Sequence, residues 1–192
     1  MIERAKAGVQ VRLLVDGLGS RSLRDAFVQP LIDAGGEVAI FNSVAFAKIR
    51  PTLLNFRTHR KIVCCDGRVG FTGGMNVEDG HDDSVVGASA WRDTHVRIVG
   101  DAVASLELIF LEDWTFARGR APAGEGYLLP PTGHGSVLAQ IVSSGPDPDA
   151  TFAIHGQFFA AIAAANDRVY LSTPYFVPDE AMITALCTSA RR

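Results

Sequence analysis

Residues 58–76 read THRKIVCCDGRVGFTGGMN. The run sets two short apolar segments, Lys61–Cys65 and Arg68–Thr72, on either side of Asp66-Gly67. An Asp-Gly pair between apolar runs signals a two-residue β-hairpin, because the favoured turn needs positive φ at both central positions. If the first strand reaches back to His59, then His59 and Lys61 share one face, about 6–7 Å apart by the strand pitch. An imidazole and an ammonium facing one small space suit a phosphate: the lysine holds its charge while the histidine approaches phosphorus. Asp66 has the opposite parity and sits at the turn, so its expected work is to fix the hairpin. Gly73-Gly74 ends the partner strand and permits close approach of backbone to a ligand. Asn76 adds an amide donor on the same side. Such a site stabilises charge on pentacoordinate phosphorus with pre-placed donors and requires no metal and no other cofactor.

Around this hairpin the chain alternates strand and helix patterns. Val9–Val15 is β-branched and apolar and is stopped by a glycine-rich turn, which predicts a strand. A helix is expected from Ser22, with Asp25 in a capping-box-like position and Leu23, Phe27, Leu31 and Ala34 as its stripe. Pro30 inside that span predicts a kink, and Gly35-Gly36 a stop. Glu37–Phe41 reads as a second strand. Trp91–Val99 alternates, with Asp93, His95 and Arg97 on its polar face. A helix is then expected over Asp101–Ala117, its stripe carried by Ala102, Leu106, Ile109, Phe110 and Trp114. Together these predict a layered α/β domain over residues 1–120. Residues 121–136 are rich in glycine and proline without a period and read as a linker. Residues 137–192 begin a new cycle: strands at Val137–Val142 and Val169–Thr173, helices at Thr151–Ala165 and Asp179–Ala190.

Composition narrows the function classes. Of the 192 residues 47% are apolar and 20% charged, the balance of a globular protein. A formal charge of −3 gives no global attraction to nucleic acid, so an anion site must be local. The longest apolar run, FFAAIAAA at 158–165, is far too short to span a bilayer. The opening MIERAKAGVQ lacks the apolar core of a signal peptide. Cys64, Cys65 and Cys187 fit neither a disulfide framework nor a zinc spacing and read as reduced core residues. His81, His95, His134 and His155 match no ligand spacing. Arg57 and Arg60 read as solvated surface, with lipid phosphate as the other assignment. Phe46, Ile49, Leu53, Leu54 and Phe56, interspersed with Lys48 and Arg50, suit an interfacial lip or a packed loop equally.

The spacing His59, Lys61, Asp66, Gly73, Asn76 resembles the HKD signature of the phospholipase D superfamily, which is met here without a gap. The surrounding segments NFRTHRKIVCCDG, FTGGMN, WRDTHVRIVG, IVSSGPD and STPYFVPD resemble bacterial cardiolipin synthases, in the same order. The resemblance implies a layered α-β-α domain with a mixed central sheet. It implies His59 as the nucleophile, or its partner acid, in a phosphohistidine mechanism. Lys61 and Asn76 would bind phosphoryl oxygens, with Gly73 and Gly74 beside them; Gly74 stands where a serine is common in the wider superfamily. Asp93 would orient the neutral imidazole, although a solvated residue or a partner for Arg92 or Arg97 would look the same.

The superfamily reaction uses two such motifs, one histidine attacking and the other protonating the leaving alcohol. No second His-x-Lys occurs in this sequence. The expectation is therefore a fragment that lacks the front of its first repeat and the motif of its second. Its expected partners are phosphatidylglycerol or another phospholipid, a membrane surface (the bacterial inner membrane), and a second copy or a separate half that brings the other motif. Nucleic acid is not expected.

Overall fold

Asp66 and Gly67 both take positive φ, +53° and +60°, the signs that a type I′ turn demands and that asparagine, aspartate and glycine tolerate best. This turn joins two antiparallel strands in a computed structural model that describes residues 1–42, 58–124, 126–133, 135–145 and 152–192. Cys65 pairs with Val69, so Arg68 belongs to the loop and not, as expected, to the second strand. The chain divides into two units, Met1–Ile141 and Val142–Arg192.

In the first unit a short helix α1 (Ile2–Lys6) leads into β1 (Arg12–Asp16), then α2 (Asp25–Asp33) and β2 (Glu37–Phe41). β1 and β2 pair in parallel, Arg12 opposite Glu37 through Asp16 opposite Phe41. The motif hairpin follows as β3 (Ile62–Cys65) and β4 (Val69–Gly73), and β5 (His95–Val99) adds to β4. Both pairings are antiparallel, with Ile62 opposite Thr72 and Gly73 opposite His95. The α/β class is as expected. Parallel and antiparallel pairing occur in two separately hydrogen-bonded sheets.

The helix α4 (Ala102–Arg118) holds the two sheets together: it packs on β2 and on all three strands of the hairpin sheet. (A single turn, α3, spans Asp83–Val86.) Val103, Leu106, Ile109 and Trp114 are its buried apolar residues, at the spacing of a single face, and Trp114 is 1% exposed. Removing an indole of roughly 200 Å² from water contributes about 5 kcal/mol before entropy is counted. Gly70 of β4 lies directly under this helix; a Cβ there would stand 2.9 Å from Leu106 Cδ1. The helix ends at Gly119, whose left-handed φ of +69° is the usual stop.

Glu107 is buried on the same helix, which the apolar pattern did not foretell. Its carboxylate accepts the Leu128 N–H at 2.6 Å. Asp101 likewise accepts the N–H groups of Thr132 and Gly133 at 2.7 and 2.9 Å. The glycine- and proline-rich segment is thus tied to α4 by its own backbone donors. A buried carboxylate is tolerable only with such partners.

Several expected elements differ. The first strand starts at Arg12 instead of Val9, and the second helix starts at Asp25, so Ser22 and Leu23 lie outside it. No side chain caps that helix. Leu31 is buried, but Phe27 is 76% exposed, so the stripe through Leu23 and Phe27 does not form. Pro30 sits within α2 without breaking it. The strands expected at 137–142 and 169–173 are absent: Val137, Leu138 and Tyr170 are exposed. β-branched sequence makes a strand only where a neighbour takes up its backbone groups, and neither segment has a ladder partner among the described residues. Of the cysteines, only Cys64 is partly buried; Cys65 and Cys187 are exposed, and none of the three is in a disulfide.

The second unit is a helix pair, α5 (Ala153–Ala164) and α6 (Glu180–Ala190), packed on each other around Ile162 and Ala185. Asp179 caps α6 by accepting the Met182 N–H at 2.9 Å and also meets His155 Nε2 at 2.7 Å. The helix cap lowers the Asp179 pKa, and the histidine adds to it. At the other end Ser189 Oγ donates to the Ile162 carbonyl at 2.6 Å. No helix among the described residues is long and apolar enough to cross a membrane.

If α4 is the clamp of the first unit, Trp114→Ala costs about 3–5 kcal/mol in urea unfolding of that unit, whereas Leu138→Ala, fully exposed, stays within about 0.5 kcal/mol. Equal effects of the two would contradict this packing.

Candidate functional site

The hairpin brings residues far apart in its sequence to one end. Lys61 directly precedes β3, and Gly74 and Asn76 directly follow β4. Because the strands are antiparallel and Ile62 faces Thr72, these positions meet at the open end opposite the Asp66-Gly67 turn. Asp93, two residues before β5, joins them there, since Gly73 pairs with His95.

Segment 58–61 is not a regular strand, so His59 and Lys61 do not share a pleated face as expected. Lys61 turns back, and its Nζ donates to the His59 backbone carbonyl at 2.8 Å. The segment is held at both flanks. The Thr58 N–H donates to Asp16 Oδ2 at 3.3 Å, at the end of β1, and Arg60 Nη1 pairs with Asp113 of α4 at 2.7 Å. Arg60 is therefore a structural tie between the motif and the clamp helix. The His59 side chain is exposed, and among the described residues its imidazole has no hydrogen-bond partner.

Lys61 is the electrostatic centre. Partial burial pushes its pKa below the ordinary lysine value, while the carboxylates of Asp93 and then Glu78 pull it back up. Asp93 thus acts first on Lys61. Its Oδ1 also accepts the Thr94 N–H at 2.6 Å, which fixes the carboxylate against the start of β5.

The glycine pair has a definite steric reason. A Cβ on Gly74 would lie 2.1 Å from Asp93 Oδ1, and one on Gly73 would lie 2.4 Å from the Thr94 carbonyl. The Gly74 N–H already donates to that carbonyl at 3.0 Å. Gly73 and Gly74 therefore let Asp93 approach; the Gly74 amide is not an open oxyanion donor. Asp66 lies at the far turn, separated from Lys61 by the length of β3, about 13 Å for four residues. It shapes the hairpin and stands apart from the cluster.

Asn76 does not stand open. Its Nδ2 donates to Glu78 Oε1 at 2.8 Å. The same oxygen lies 3.6 Å from Nε2 of His81, whose side chain is 6% exposed. The His81 ring stacks edge-on against Trp91 with centroids 5.6 Å apart. Glu78 and His81 are the members that residue-type reasoning passed over: His81 matched no ligand spacing, and Glu78 follows Asn76 by two residues with no pattern to mark it. His95 packs against Gly73, with Nδ1 buried and without a hydrogen-bond partner among the described residues. His155 belongs to the second unit. His134, Arg57 and the apolar segment 46–56 lie outside the described residues. The adjacent Cys64 is no nucleophile: burial, with Glu107 and Cys65 adding, pushes its thiol up to about 11.

Chemically, the cluster offers one ammonium and one carboxamide at the open end of the hairpin, with two carboxylates beside them; the exposed His59 lies two residues before Lys61. Removing either carboxylate takes away a charge that raises the Lys61 pKa. Asp93→Asn and Glu78→Gln each move it further down, Asp93→Asn more, as followed by an NMR pH titration of labelled lysine. An upward move in either variant would contradict this arrangement.

No family model matches the chain, and no solved structure matches it. Named relatives do. Over 192 residues the chain is 41% identical to the cardiolipin synthase of Geobacillus sp. (strain WCH70), a match that covers 99% of this chain and 38% of that protein. The cardiolipin synthase of Alkalihalophilus pseudofirmus is 39% identical over 195 residues, with the same shares. Cardiolipin synthase 2 of Bacillus anthracis is 39% identical over 192 residues, covering 37% of its length. The chain thus spans under two fifths of the relatives it matches, and over nearly all of its own length it is a homologue of the bacterial cardiolipin synthases.

Proposed function

We propose that this chain carries one half of the active site of a cardiolipin synthase-type phosphatidyltransferase. The observation that carries the reading is the gathering of Lys61, Asn76 and Asp93 at the open end of the hairpin, with the Lys61 ammonium on the His59 backbone carbonyl. The homology supports it at the level of the family.

In this reading a neutral His59 attacks the phosphorus of phosphatidylglycerol. A nitrogen–phosphorus bond forms, the bond from phosphorus to the glycerol oxygen breaks, and glycerol leaves after taking a proton from a general acid. A hydroxyl of a second phosphatidylglycerol then attacks the phosphohistidine. An oxygen–phosphorus bond forms, the nitrogen–phosphorus bond breaks, and the hydroxyl proton returns to the group that had protonated glycerol, which frees the imidazole and gives cardiolipin. Lys61 and Asn76 bind the phosphoryl oxygens and stabilise the charge that builds on them. Asp93 opposes the downward pull of partial burial on the Lys61 pKa. Its approach to the ammonium, permitted by Gly73 and Gly74, is the part of the site that the glycine pair secures.

The general acid is the missing piece. His-x-Lys occurs once in the sequence, so the second imidazole comes from another copy across a two-fold axis or from a separate half. The lipid substrate places the site at a membrane surface, the bacterial inner membrane in this reading. The single motif also favours a second reading, a phosphate- or anionic-lipid-binding module without turnover. A dimeric phosphodiesterase acting on nucleic acid is a third, and the formal charge of −3 weighs against it.

The test measures glycerol release from phosphatidylglycerol vesicles together with the mass of the chain in solution. Expected is no steady turnover from a monomer, since a general acid supplies about 10²–10⁴-fold. In a dimer, turnover is expected and falls by at least about 100-fold in His59→Ala. Robust release from a strict monomer, or release unchanged in His59→Ala, would contradict the reading. A dimer that binds the vesicles but releases nothing supports the binding module.

A further inference from the structure

Glu78 lies in the bend between β4 and the single turn Asp79–His81. Its Oε1 holds the Asn76 carboxamide at 2.8 Å and faces the buried His81 ring at 3.6 Å. His81 in turn is backed by Trp91, which also lies 3.6 Å from where a Cβ of Gly80 would be. The Glu78 carboxylate is therefore seated, not waving in solvent, although the residue is on the surface. That seat lies among the groups that an incoming phosphate must use.

We propose that Glu78 is an internal counter-anion of the phosphate site: it occupies the Asn76 donor and the field of Lys61 while the site is empty, and it yields both when an oxyanion binds. The inference rests on the reading of Lys61 and Asn76 as phosphoryl-oxygen ligands. The charge balance supports it. Two carboxylates, those of Asp93 and Glu78, stand beside one ammonium, so acidic groups outnumber the lysine before any anion arrives. Each phosphate oxyanion must then overcome one carboxylate that it cannot pair with. Glu78 also contributes to holding up the Lys61 pKa, after Asp93, so its charge does reach the ammonium. A site arranged this way holds ground-state phosphate weakly. Its donors are kept in place when empty, and they are not captured by free phosphate. His81 gives the displaced carboxylate somewhere to go: it offers a second seat on the same oxygen, anchored by the Trp91 stack.

The chemistry that the site would read is a phosphate oxyanion, whether of a lipid headgroup or of free phosphate. Binding of inorganic phosphate to the full chain is measured by calorimetry for the parent, Glu78→Gln, Glu78→Ala, Lys61→Ala and Glu78→Gln/Lys61→Ala. Both single Glu78 variants are expected to bind roughly five- to tenfold more tightly, the effect of one carboxylate removed at several ångströms in an effective dielectric near the surface. Lys61→Ala in the Glu78→Gln background is expected to abolish the gain. Co-sedimentation with phosphatidylglycerol vesicles forms a second arm: a parallel gain assigns the site to headgroup phosphate, and a gain with inorganic phosphate alone assigns it to the free ion. Lys61-dependent binding that is equal or weaker in both Glu78 variants overturns the counter-anion and leaves the phosphate site standing. Binding that ignores Lys61 in every variant, or is absent from all of them, overturns the phosphate site and the counter-anion with it. Glu78→Gln keeps an oxygen for Asn76, so it decides the matter if Glu78→Ala fails to fold.

Discussion

The structure depends on one constraint: a tight three-residue turn, Asp66–Arg68, that forces β3 and β4 into fixed register. Two positive φ angles at Asp66 and Gly67, with Arg68 as the third residue of the loop, set Ile62 against Thr72, and everything chemical then follows at the opposite end. One residue of slip would turn Lys61 to the other face and separate it from Asn76, because side chains alternate with period two. The α4 helix makes that slip costly. It packs on the hairpin through Leu106 and Val103, with Gly70 pressed beneath, and it holds the leading segment through the Arg60–Asp113 pair. The turn sets the register and the helix keeps it.

On this frame sits a crowded electrostatic arrangement. One lysine, partly withdrawn from water, is bracketed by two carboxylates and its own neighbour's carbonyl. Burial pulls the Lys61 pKa down and the carboxylates pull it back up, at the cost of repelling the anion that the ammonium is meant to hold. Asp93 and Glu78 divide that compromise differently. Asp93 is locked by the Thr94 amide and the bare backbone of Gly74. Among the described residues the Glu78 carboxylate is held by side chains alone, those of Asn76 and His81, so its displacement would disturb no strand.

Much of this was legible in the residues. The Asp-Gly turn, the β2 strand and the long helix follow from local pattern; Lys61 and Asn76 stand out by their spacing, and Asp93 only through the family resemblance. What was not legible depended on partners. Val137–Val142 and Val169–Thr173 have strand composition, yet composition cannot supply the neighbouring strand that a ladder needs. Phe27 fits a helical stripe, but the helix began three residues later than Ser22 promised and the stripe rotated away. Glu107 and Glu78 are acids whose roles come from a distant amide and a nearby carboxamide, contacts that no periodicity encodes. The motif glycines were read as room for a ligand, whereas the backbone uses that room for Asp93.

The most direct test of the account is a crystal of this chain soaked with tungstate, a tetrahedral oxyanion visible by its anomalous signal. The account predicts the anion at the open end of the hairpin, within hydrogen-bond reach of Lys61 Nζ and Asn76 Nδ2 and facing the His59 imidazole, with Glu78 withdrawn toward His81. Tungstate bound elsewhere, with Lys61 and Asn76 pointing into separate surroundings, would contradict it.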